Sequence, residues 1–109
     1  MHSMTVDKDD DTLAVVVLDR NISEEIRIME IGDELTEIAS NIPAGKTLVL
    51  DLQDVEYCSS AMVCELVQLH KSTEKNGVEL KLRHVSPTIQ DILRVMRLDA
   101  VFRIESSNA

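Results

Sequence analysis

Thr47–Leu48–Val49–Leu50–Asp51–Leu52, then Asp54–Val55–Glu56–Tyr57–Cys58–Ser59–Ser60, then a helix-forming run from Ala61 onward, is the stretch that decides the fold. An apolar run of strand length leads into a hydroxyl-bearing turn and a long helix, which is half of a strand–helix–strand unit. The turn sets two adjacent serines at a helix N-terminus. There the first backbone N–H groups have no intrahelical acceptor, and the positive end of the helix dipole favours an added phosphate.

The same alternation continues on both sides. Upstream, Leu13–Ala14–Val15–Val16–Val17–Leu18 is an apolar run with three consecutive β-branched valines, the pattern of a strand buried on both faces. Asp19–Arg20–Asn21 breaks it, and Asn21 with Glu24 three residues later resembles a capping box that opens a helix. Ile28, Ile31, Leu35 and Ile38 then give that helix one apolar stripe, with Glu30, Asp33, Glu34 and Glu37 off it. Asn41 to Lys46, with Pro43 and Gly45, is a loop.

Downstream, the helix from Ala61 places Met62, Val63, Leu66, Val67, Leu69, His70 and Thr73 on one side and Cys64, Gln68, Lys71 and Lys75 on the other. Asn76–Gly77 is a stop signal for it. Val78, Leu80 and Leu82 alternate with Glu79, Lys81 and Arg83, the mark of a strand with one buried face. Ser86–Pro87 opens a third helix whose stripe is Ile89, Ile92, Leu93 and Met96, and a short strand is expected at Val101 to Ile104. The reading is one α/β domain over 12–105, preceded by a flexible N-terminal segment or edge strand over 1–11 and followed by a polar tail over 106–109.

Composition removes several function classes. The chain has 109 residues, enough for one core, and its only aromatics are Tyr57 and Phe102. With a formal net charge of -9 it offers neither a stacking platform nor a basic stripe, so nucleic-acid binding is not expected. The charge can serve solubility or steer the domain toward a basic partner surface. No apolar run is long enough to span a bilayer, and Asp7, Asp9, Asp10 and Asp11 stand where a secretion signal would be hydrophobic, so a cytoplasmic protein without membrane insertion is expected.

Catalytic patterns are absent from the spacing. His2, His70 and His84 form no ligand motif, and Gly32, Gly45 and Gly77 are too scattered for a phosphate-binding loop. Ser59–Ser60 lacks a nucleophile elbow, since Cys58 and Ala61 flank it. No enzyme activity, metal or cofactor is expected. Cys58 and Cys64 match neither a redox pair nor a zinc knuckle, which leaves free thiols in a reducing compartment; a redox sensor built on Cys58 at the helix start is the alternative. The simplest role for Ser59 and Ser60 is N-capping, and on physical grounds this competes evenly with a charge switch.

Val49 to Ala61, followed by Leu69–His70, Gly77–Val78–Glu79–Leu80–Lys81–Leu82 and the closing Leu98–Asp99–Ala100–Val101–Phe102, resembles a STAS domain of the bacterial anti-sigma factor antagonists. The likeness extends from about Leu13 to Ile104. It implies a single domain with a mixed sheet of four or five strands and three or four helices packed mainly on one side. In that family the second hydroxyl residue of an Asp-Ser-Ser/Thr turn is phosphorylated by a GHKL-type serine kinase that is also the anti-sigma factor, and a serine phosphatase reverses it. Carried over by position, Ser60 is the phosphoacceptor, Ser59 the second choice, and Asp19, Cys58, Ser59, Ser60, Ala61 and Cys64 form the partner contact. An ordinary Asp–Asn turn accounts for Asp19 slightly better than a contact role does. Cys58 stands where phosphorylated members usually carry aspartate, and that departure supports a second possibility, a phosphorylation-independent interaction or scaffold module in stress signalling or beside a transporter.

Overall fold

In the computed structural model, the main chain of residues 4–8 and the whole of residues 11–105 are described. The expected 106–109 tail and the remainder of the N-terminal segment lie outside the described residues. Among the described residues, seven strands and three helices follow in the order β1 (Met4–Lys8), β2 (Thr12–Val17), β3 (Asn21–Ile22), α1 (Glu25–Ser40), β4 (Thr47–Asp51), β5 (Tyr57–Cys58), α2 (Ser60–Lys75), β6 (Glu79–Arg83), α3 (Pro87–Val95) and β7 (Arg103–Glu105).

The main sheet has the order β1-β2-β4-β6-β7. β1 runs antiparallel to β2, while β2, β4, β6 and β7 are mutually parallel. It is the expected mixed sheet. Each helix links one parallel strand to its neighbour, as a parallel sheet requires.

Register sorts the side chains into two faces. Leu13, Leu48 and Leu80 form one row, and Val15, Leu50, Leu82 and Ile104 form the next. These rows meet Ile28, Ile31 and Leu35 of α1, Met62, Val63, Leu66 and Leu69 of α2, and Ile89 and Leu93 of α3 in one aliphatic core. All three helices therefore cover the same face. The other face carries Ala14, Val49, Lys81 and Arg103 in one row and Val16, Asp51, Arg83 and Glu105 in the next.

Local signals explain most boundaries. Ser86 Oγ accepts from the Ile89 N–H at 3.2 Å, with Pro87 in the first turn of α3. α2 stops where Gly77 takes φ 75, a conformation glycine adopts without the Cβ clash other residues meet. The start of α1 differs from expectation. Asn21 and Ile22 are pulled into β3, Glu24 precedes the helix without a side-chain cap, and the Asn21 Oδ1 accepts from Ser23 Oγ instead. Pairing with β5 overrides the capping-box pattern, because the main-chain bonds it gains satisfy groups that a side-chain cap would leave open. The last strand also lies later than expected: Val101 and Phe102 turn back onto Leu98, whose carbonyl accepts both N–H groups, and pairing begins only at Arg103.

Candidate functional site

The parallel strands β2, β4 and β6 point the same way, so the segments following them gather at one end of the sheet. That end holds the serine turn. After β4, the Leu52 N–H bonds the Arg83 carbonyl and Gln53 N–H bonds Asp51 Oδ1. Val55, fully buried, closes a turn through its N–H to the Leu52 carbonyl. The chain then crosses to the segment after β2: Glu56 and Tyr57 N–H groups both donate to the Arg20 carbonyl, β5 pairs in parallel with β3, and Ser59 N–H donates to the Ile22 carbonyl at 2.9 Å.

Asp51 anchors this path. Its side chain is only 6% exposed and accepts from Arg83 Nη2 at 3.1 Å, while His84 Nδ1 lies 3.0 Å away. Desolvation pushes its pKa up, but hydrogen bonds from His84, the Gln53 amide and Arg83 outweigh that and hold the carboxyl below the ordinary aspartate value. His84 itself takes φ 57, a left-handed conformation uncommon for a residue with a side chain. Sequence reading gave neither Asp51 nor His84 a role. An acid ending an otherwise apolar run was the available signal.

The two serines are treated differently by the fold. Ser59, half-buried, accepts from the Met62 N–H through its Oγ at 3.4 Å and is the N-cap of α2. Ser60 is exposed as the first helical residue, and among the described residues its hydroxyl has no hydrogen-bond partner. With Met62 capped and Val63 already bonded to the Ser59 carbonyl, the N–H groups of Ser60 and Ala61 are the amides that remain for an added acceptor.

Around Ser60 the expected contact residues divide. Ala61 and Cys64 are exposed on α2, one and four residues along. Cys58 is not available: at 2% exposure its side chain lies in the core, and burial pushes its thiol up to about 11. Its residue supports the turn from beneath, and the reactive thiolate of a redox sensor is disfavoured there. Asp19 is close in sequence to β3, but its carboxylate is engaged by Arg27 of α1 in a two-pronged bond of 2.8 and 2.9 Å, with both side chains mostly buried. Asp19 and Glu30 raise the Arg27 pKa against the burial that would lower it. This pair fixes the segment after β2 onto α1. Arg20 and Glu56, at 3.5 Å and largely exposed, link the segment after β2 to the segment after β4 in solvent.

Among the described residues no group of three or more His, Cys, Asp or Glu is placed to hold a metal, and no helix is long and apolar enough to cross a membrane. The arrangement presents a hydroxyl on a rigid support. Among the described residues no side chain hydrogen-bonds that hydroxyl.

The sequence model of the STAS domain family matches residues 18–109. The chain belongs to the STAS domain family. Its fold is similar to that of an anti-sigma factor antagonist (STAS) domain protein from Planctomyces limnophilus, with a TM-score of 0.85 at 18% identity over 96% of this chain and 91% of that one. A putative anti-sigma factor antagonist from Thermotoga maritima gives 0.73 at 20% identity, over 98% and 88%. The Bacillus cell fate determinant SpoIIAA in its phosphorylated form gives 0.71 at 10% identity, over 96% and 91%. At these identities the likeness establishes the fold. STAS membership makes the serine turn the part of this domain to test first.

Proposed function

We propose that this STAS domain is an anti-sigma factor antagonist of the bacterial cytoplasm, which binds an anti-sigma factor of the GHKL serine-kinase type while Ser60 is free and releases it when Ser60 is phosphorylated. One observation carries this reading. Of two adjacent hydroxyls, Ser59 is occupied in capping α2, whereas Ser60 stands exposed beside two unclaimed amides. A phosphate there adds roughly -1.5 to -2 charges and a hydration shell at the centre of the contact, while the helix N-terminus tolerates it internally. The fold is kept and the interface is lost. If that interference costs about 3 kcal/mol, affinity falls on the order of 100-fold.

The kinase supplies the catalytic groups, and a serine phosphatase resets the switch. Ala61 and Cys64 flank the acceptor, Asp19 positions the neighbouring segment through Arg27, and Cys58 supports the turn. Cys58 stands where phosphorylated members usually carry an acid, and this favours a second reading in which the domain docks constitutively. Calorimetric titration with the purified anti-sigma factor kinase separates the two. Under the switch, Ser60→Ala binds as wild type and Ser60→Asp loses binding; equal affinity of both variants would establish the constitutive module.

A further inference from the structure

Two large apolar side chains on α1 are left in solvent: Ile26 is 68% and Met29 59% exposed. Both lie off the buried stripe of Ile28, Ile31, Leu35 and Ala39. Isolated exposed apolar residues are common, but the surroundings of these two are not neutral. Glu25, Asp33 and Glu37 stand exposed on the same helix, and among the described residues none of them has a cationic partner. The one cation of α1, Arg27, is taken by Asp19 and Glu30. The last turn of α1 has no basic residue, and Glu37 sits where the dipole disfavours an acid. Glu25, in the first turn, complements the helix dipole, but Asp33 and Glu37 do not serve the helix itself.

The packing of α1 on α2 brings this flank to the serine turn. Gly32 faces Glu65, whose carboxylate occupies the space a Cβ at 32 would take, so these two positions lie level on the two helices. One turn earlier on each helix come Met29 and Ala61, with Cys64 also on the outer side of α2. Helical periodicity places Met29 on the edge of α1 that faces α2. Ala61 thus borders Met29 at the α1–α2 seam, with Ile26 and Cys64 on its outer flanks and Ser60 at the N-terminal end of α2.

We infer that this α1–α2 surface is a docking site for a partner that meets Ile26 and Met29 with apolar side chains and the α1 carboxylates with a Lys- and Arg-bearing rim. The inference extends the proposed function by assigning the partner's surface chemistry and carrying its footprint from Ser60 across to α1. An apolar centre inside a charged rim is the composition of protein interfaces, the rim setting approach and register. The formal charge of -9 and the acidic rim oppose a second copy of this chain as occupant. A phosphate on Ser60 acts at the centre of the contact, where bulk and hydration weigh against docking, whereas the carboxylates attract from the edge.

Benzophenone-maleimide crosslinking of the full-length protein to the purified anti-sigma factor kinase tests the footprint. Cys64 is exposed and Cys58 buried, so the wild-type chain labels at Cys64, beside Ser60. In a Cys64→Ser background, Ile26→Cys and Met29→Cys report the α1 flank, and Val95→Cys, on α3, is the control. Adducts from Cys64, 26 and 29 but not from 95 are expected. The double variant Asp33→Lys/Glu37→Lys should weaken binding by about tenfold at low salt and by much less at high salt, where surface charges are screened. Adducts at Cys64 without any at 26 or 29 overturn this footprint and leave the proposed function standing. Adducts at 26 and 29 without any at Cys64 keep the footprint and remove Ser60 from the contact. Absence at all three overturns both, and adducts only between copies of this chain overturn the assigned partner chemistry.

Discussion

The two long helices start side by side at the same end of the sheet, after two short strands that pair with each other, yet they are secured differently. α2 begins at a serine cap over a buried cysteine and behind a buried carboxylate network. α1 begins at Glu24 with no side-chain cap and is held instead from outside, by the Asp19–Arg27 bond. A start secured by its own cap leaves the next side chain free to project. The start of α2 therefore suits a hydroxyl that must stay accessible, and the start of α1 suits a surface that must stay in register with it.

The contrast can be broken most strongly at Asp51. Asp51→Ala leaves the Arg83 guanidinium and His84 without their shared acceptor and releases Gln53, so a loss of about 3 kcal/mol is expected in chemical denaturation. Acid acts on the same group. Because the folded-state pKa is lowered, the stabilisation is complete above the ordinary aspartate value and disappears as pH falls through the depressed one. Asp51→Asn should flatten that acid limb of the stability profile.

Smaller effects should separate the two helix starts. Arg27→Ala is expected to cost about 1–2 kcal/mol, discounted for its partial exposure, and to loosen the segment after β2 in hydrogen exchange. Ser59→Ala should cost about 1 kcal/mol through the lost cap, while Glu24→Ser should gain at most about 1 kcal/mol by giving α1 the cap it lacks. Opposite signs at equivalent positions would sharpen the contrast; equal signs would break it. Thiol labelling adds a check with almost no energetic cost. At neutral pH one thiol, Cys64, should react readily, and Cys58 should need denaturant or a pH near its raised value of about 11.

Much of this was legible in the sequence. The three long strand runs and the helix stripes are patterns many residues long, Ser86–Pro87 is a sharp local start signal, and the core they imply is the core observed. The serine turn was legible because an apolar run stops abruptly at polar, hydroxyl-bearing residues. β3 and β5 were not, because a pair of two-residue strands has no period to detect, and Asn21–Glu24 carried a competing local signal that tertiary pairing overrode. The direction of Cys58 and the division of labour between Ser59 and Ser60 are also tertiary facts. One residue decides which hydroxyl falls on the cap. Ile26 and Met29 did leave a trace in the sequence, as apolar residues off the helical stripe.

The most direct test maps phosphate onto the turn. The protein is incubated with ATP and its anti-sigma factor kinase, and intact mass and fragmentation spectra are recorded for wild type, Ser59→Ala and Ser60→Ala. A gain of about 80 Da from one phosphoryl group is expected in wild type and in Ser59→Ala, localised to Ser60, and absent from Ser60→Ala. Phosphate retained in Ser60→Ala, or a wild-type chain that binds the kinase and never gains mass, would contradict the assignment of Ser60 as the switch.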